Sequence, residues 1–174
     1  VSMTVVSSEQ VDSSSSTLTP IIVTAWSDGY LRVYADLELR RSRYVEDLTT
    51  VTCACSGNVF AGTRAGNLFA YNVGTGRSDA TCFAAHDAPI TALWFCPENN
   101  VLVSSSLDAS VKVWKAECPE RQLFPSLRRL QDLDAEDAAV DLCVDNEGQT
   151  LYIAVLTSKD KLTAWAINVG EESH

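Results

Sequence analysis

The chain has 174 residues, 46% of them hydrophobic and 21% charged, the balance of a single globular domain with enough apolar mass to bury a core. Its formal net charge of −10 argues against a nucleic-acid binder and against anionic membrane surfaces, because both need a surplus of Lys and Arg. No stretch approaches the roughly 18 apolar residues of a membrane span, and the opening lacks the basic and apolar regions of an export signal.

Beginning at Val1, the sequence reads as a fragment of a longer protein. A Ser-rich stretch, 7–17, has no apolar periodicity and is expected in a surface loop. From Pro20 onward PIIVTAWSDGYLRVYADLEL shows two strands about a polar turn, although its first strand is not evident. The cluster Arg40, Arg41 and Arg43 reads as a solvated turn.

Next, VTCACSGNVFAGTRAGNLFAYNVGTGR carries three strands, VTCAC, NVFAGT and NLFAYNV. Its glycine turns are not phosphate loops, since neither ends in G-K-[ST] nor opens a helix. The clearest unit is residues 86–117, in which ITALWF, VLVSSS and SVKVW are separated by Pro/Asn and Asp/Ala turns. A polar insertion at 117–126 follows, expected as a surface loop. LRRLQDL has leucines every third residue, as a helix would, but its place in the repeat calls for an outer strand. The last unit is AVDLCVDNEGQTLYIAVLTSKDKLTAWAIN.

One pattern therefore occurs four times: an apolar run, a short polar turn and an alternating run closed by an aromatic. The closing aromatics are Tyr34, Tyr71, Trp114 and Trp165. The units fall at 1–45, 46–84, 85–132 and 133–174. The fold class expected is all-β, four blades of four-stranded antiparallel meanders forming an incomplete β-propeller.

AH followed by ITALWF, then SLD, then SVKVWK resembles the WD40 repeat, whose pattern is GH, an apolar strand, S-x-D and a closing WD. That resemblance implies a structural hydrogen-bonded set of His86, Ser106, Asp108 and Trp114. It also implies a partner-binding face at the residue before each turn acidic position, Ser27, Arg64, Leu107 and Ser158, with Asp87, Ala88 and Pro89 from the loop leading into the strand. Leu107 is the preferred contact, an apolar side chain in a polar turn. Six residues before the other closing aromatics stand Asp28, Ala65 and Lys159; Asp160, one place late, suggests a shifted turn in the last unit. The strings TAWSDGYLRVY, GRSDATCFAAHDAPI, ASVKVWKAECPE and LQDLDAEDAAVDL are further similar to the C-terminal propeller of BEACH-domain proteins.

No catalytic residue is expected. Ser106, His86 and Asp108 lack the G-x-S-x-G setting of a hydrolase triad, and Glu136 with Asp137 or Glu171 with Glu172 lie in polar segments. Six cysteines without a CxxC pair point to a reduced compartment, cytosol or nucleus, with the cytoplasm, at a membrane periphery through partners, the location expected; with His86 and His174 they offer no metal-site spacing. Neither metal nor cofactor is expected. The function expected is a protein–protein interaction scaffold, part of a larger BEACH–WD40-like protein in membrane trafficking or signalling. A second reading is a substrate-recognition or regulatory segment of a complex such as a ubiquitin ligase or phosphatase, and a third is a hydrolase using Ser106. Partners are proteins or peptides, with further blades from the parent chain or from oligomerisation; nucleic acid and direct membrane insertion are not expected.

Overall fold

A computed structural model describes residues 2–6, 21–54, 57–82, 84–117 and 123–170. They form fifteen strands and no helix. The first sheet holds β1 (Ser2–Val6), β2 (Ile21–Ala25), β3 (Tyr30–Ala35) and β4 (Glu38–Tyr44) in chain order. The second holds β5 (Leu48–Cys53), β6 (Asn58–Thr63), β7 (Leu68–Asn72) and β8 (Ser78–Cys82). The third holds β9 (Ile90–Cys96), β10 (Val101–Ser106), β11 (Ser110–Glu117) and β12 (Ser126–Asp134), and the fourth β13 (Ala139–Glu147), β14 (Thr150–Thr157) and β15 (Leu162–Asn168). Every neighbouring pair is antiparallel, as hairpin connections of this length require.

The all-β expectation holds, with one correction: the fourth sheet has three strands among the described residues, not four. LRRLQDL lies in β12, because its ladder with β11 satisfies backbone groups that a helix would have to satisfy alone. The Arg40–Arg43 cluster is not a turn but part of β4, the fully exposed outer strand, where charged side chains discourage edge-to-edge pairing. Arg41 also donates to the Gly74 carbonyl at 2.8 Å, joining the first sheet to the second.

Because strand side chains alternate, each middle sheet can bury both faces. Three apolar clusters result. Val23 and Val33 meet Val59 and Tyr71 between the first and second sheets. Phe60 and Ala70 meet Leu102 and Trp114 between the second and third. Val103 and Val113 meet Ile153 and the half-buried Trp165 between the third and fourth. The closing aromatics Tyr71, Trp114 and Trp165 thus all point back at the preceding sheet. First strands pack in sequence, β1 on β5, β5 on β9 and β9 on β13, which gathers one edge of all four sheets into a fan.

Of the expected loops, 7–17 lies outside the described residues. In the 117–126 segment, β11 runs to Glu117 and β12 starts at Ser126. Between them Phe124 packs against the second cluster named and Leu123 accepts a hydrogen bond from Asn58 Nδ2 at 3.1 Å, so this part covers the core instead of standing free.

Candidate functional site

At one rim of the fan, the turn between the second and third strands of each sheet sits beside the loops leading into that sheet and into the next. The backbone repeats two hydrogen bonds there. Arg64, Leu107 and Ser158 donate through their amides to Asp47, Pro89 and Ala138 of the lead-in loops, at 2.7, 3.1 and 2.8 Å. Val45, His86 and Ala135 donate to Gly29, Gly66 and Ala109 of the preceding turns, at 2.9, 3.0 and 2.8 Å. Ser27, Arg64, Leu107 and Ser158 are all exposed on these turns, with exposed Asp87 and half-buried Ala88 and Pro89 in the third lead-in loop. Leu107 is 42% exposed.

Beneath this rim lies the polar set of the third sheet. His86 is buried, and its Nδ1 lies 3.1 Å from Asp108 Oδ2 and 2.9 Å from Ser110 Oγ. Its Nε2 lies 2.8 Å from Ser104 Oγ, which also accepts from Trp114 Nε1 at 2.9 Å. The roles are consistent only one way: Nδ1–H donates to the Asp108 carboxylate, and Nε2 accepts the Ser104 proton. Burial lowers the His86 pKa and outweighs the attraction of Asp108, so the ring stays neutral. Burial alone would raise Asp108, but hydrogen bonds from Ser110 Oγ and from the Asp87 and Ser110 amides, together with His86, bring it down to about 2.

Ser106 is not the bridging serine. Trp114 stands opposite Leu102 in the ladder, so its neighbour on the same face is Ser104; Ser106 is farther along, where the strand turns. There Ser106 Oγ donates to the Ala88 carbonyl at 3.1 Å and accepts the Asp108 amide at 3.2 Å, tying the turn to the lead-in loop. His86, Ser104 and Ser106 are all buried, and their polar atoms are taken by one another, by Asp108, Ser110 and Trp114, or by backbone groups. Lys112 adds a further tie through its Nζ to the Ala85 carbonyl at 2.5 Å.

The other turns use different chemistry in the same place. Asp28 caps the Tyr30 amide at 3.0 Å and pairs with the Arg32 guanidinium at 2.6 Å. In the fourth sheet Ala135 takes the place of His86, and ion pairs of Lys159 with Asp137 and Lys161 with Glu136 join turn to lead-in loop. The turn is not shifted: Asp160 has φ 57°, the left-handed position held by Gly29, Gly66 and Ala109 in the other sheets. Among the described residues there is no cluster of His, Cys, Asp and Glu able to hold a metal ion, and Cys53, Cys96 and Cys143 are free thiols.

Residues 77–115 match the family described as WD domain, G-beta repeat. The mouse protein named Periodic tryptophan protein 2 homolog is 28% identical over 107 residues, 59% of this chain and 11% of its own length. The chain therefore spans about a tenth of that relative. Among solved structures, the computationally designed Ika4 protein shares the fold with a TM-score of 0.64 at 21% identity, covering 85% of this chain and 86% of its own. The computationally designed Ika8 protein superposes with a TM-score of 0.61 at 20% identity over 94% of this chain and 45% of its own. The WD40 match thus runs from β8 of the second sheet through β9, β10 and β11 of the third, and the four sheets are blades of a propeller-like fold.

Proposed function

We propose that this chain is a non-enzymatic scaffold that binds a protein or peptide on the turn rim. One observation carries the reading: Leu107 is an exposed apolar side chain held in a polar turn that the buried His86 and Ser104 and the half-buried Asp108 clamp from below. A rigid apolar knob loses little entropy on docking, and covering it contributes about 1–2 kcal/mol. Around it Ser27, Arg64, Asp87 and Ser158 supply polar contacts on the same rim, and Ala88 and Pro89 apolar ones. The net charge of −10 favours a protein partner over nucleic acid. Cytoplasmic location and a place within a larger BEACH–WD40-like protein of membrane trafficking or signalling extend the proposal and rest on short strings of sequence alone.

Peptides selected from a displayed library against the folded chain provide the test. Leu107→Glu and Arg64→Glu should each weaken the selected binders about tenfold or more without moving the melting temperature. Binders indifferent to both substitutions would place the interaction elsewhere.

A further inference from the structure

The closing aromatic of the second sheet lacks the partner that its counterpart in the third sheet has. Trp114 stands opposite Leu102, and its Nε1 donates to Ser104, two residues along the same face. Tyr71 stands opposite Val59, and two residues along that face is Ala61, which has no side-chain acceptor or donor. Tyr71 is buried against Val23 and Val33 of the first sheet, yet its hydroxyl has no hydrogen-bond partner among the described residues.

β4 brings two guanidinium groups to the same interface. Arg41 and Arg43 stand opposite Val33 and Leu31, which both pack on the second sheet, so the two arginines share that face of β4. Arg41 is fixed by the bond from Nη2 to the Gly74 carbonyl, which leaves Nη1 beside Gly76. The point where a Gly76 Cβ would lie is 3.0 Å from Arg41 Nη1 and 3.6 Å from Tyr71 Oη, so the lack of a side chain there lets the two donors converge. Burial raises the Tyr71 pKa, and Arg41 and Arg43 only partly offset it, so the phenol keeps its proton and stays a donor. Carboxylates pair with Arg32, Arg40, Arg128 and Arg129, but among the described residues none pairs with Arg41 or Arg43. Both arginines are exposed, so the groove between the two sheets is open to solvent here.

Two cations and a phenol O–H make a receptor for an anion with more than one charge and several acceptor oxygens. A carboxylate carries one charge and is satisfied by one guanidinium, whereas a phosphomonoester carries about −1.5 to −2 and three acceptor oxygens. We propose that the groove between β4 and the β7–β8 turn binds the phosphomonoester of a phosphorylated protein segment, held by Arg41, Arg43 and Tyr71. The net charge of −10 opposes an extended anionic lipid surface, but a single phosphorylated side chain meets only this local pair of cations. The groove lies at the other end of β7 from the Arg64 turn, so the inference does not depend on binding at the rim.

Titration of the whole chain with a short phosphoserine peptide, followed by nuclear magnetic resonance of the arginine Nε–H groups at constant ionic strength, tests it. Saturable shifts are expected at Arg41 and Arg43, absent with the unphosphorylated peptide and reversed by excess inorganic phosphate. Arg43→Gln and Tyr71→Phe should each raise the dissociation constant about fivefold or more. Neither should move the melting temperature, because Arg43 has no carboxylate partner and Phe keeps the packed ring. Leu107→Glu should leave the affinity unchanged, which keeps a failure at the rim separate from a failure here. Equal shifts with the unphosphorylated peptide, an affinity that neither Arg43→Gln nor Tyr71→Phe lowers, or binding to phosphatidylserine vesicles without binding to the phosphopeptide would each overturn the proposal.

Discussion

The buried His86 is tolerable because each of its nitrogens meets a partner of the right kind. Truncating it would leave Ser104, Ser110 and Asp108 short of a partner inside a packed sheet, so His86→Ala is expected to cost about 3 kcal/mol in urea unfolding. Ser104→Ala should cost more than Ser106→Ala, since only Ser104 links the ring to Trp114 Nε1. Equal costs would mean that the two serines share the role. The same residues set a pH dependence. The folded-state pKa of His86 is depressed, so below about pH 6.5 the unfolded chain takes up a proton that the folded chain refuses, and stability falls. Asp108 is depressed too, and its contribution is fully present above pH 3.8 and fades as the pH falls toward about 2. Urea midpoints measured from pH 7.5 downward should therefore begin to drop as the pH passes below about 6.5, and His86→Gln should flatten that first drop. An identical slope in the variant would show that the ring is not the group responsible.

At the level of single elements, the turns carry most of what distinguishes one blade from another. Gly66 combines φ 77° with a carbonyl of His86 only 2.0 Å from where a Cβ would lie. Gly66→Ala must push the His86 loop away and should destabilise by about 2–4 kcal/mol. Ala109 stands at the same turn position with φ 66° and no such need for a side chain, so Ala109→Gly should gain about 0.5–1 kcal/mol by relieving the left-handed strain. A loss on Ala109→Gly in thermal melts would indicate that the Ala109 methyl packs more than its backbone strains. Turn chemistry also explains what the sequence revealed and what it hid. The apolar alternation of β9, β10 and β11 marks their faces directly, and Tyr71, Trp114 and Trp165 recur because each fills the preceding sheet. β1 was not evident because the Ser-rich stretch separates it from its partner β2, and a strand that pairs across such a gap leaves no local turn signal. Ser104 was missed because S-x-D spacing measures distance along the strand, whereas the bond to Trp114 is fixed across it. Lys159 and Lys161 look like ordinary surface lysines until the fold brings Asp137 and Glu136 beside them.

In the molecule as a whole, stability should follow position in the fan, because each sheet touches only its neighbours. The second and third sheets are covered on both faces, and β6 and β10 are buried along their whole length. β14 alternates buried and exposed residues because one of its faces has no neighbour among the described sheets, and the first sheet leaves Met3, Trp26 and Tyr30 exposed. Local opening at either end forfeits one interface, whereas opening in the middle forfeits two. Amide hydrogen exchange at low protein concentration is therefore expected to be slowest in β6 and β10 and at least about tenfold faster in β2 and β14, although all four are central strands of their sheets. Ladder hydrogen bonding alone would protect the four alike, so uniform protection would argue that the sheets unfold as one cooperative unit.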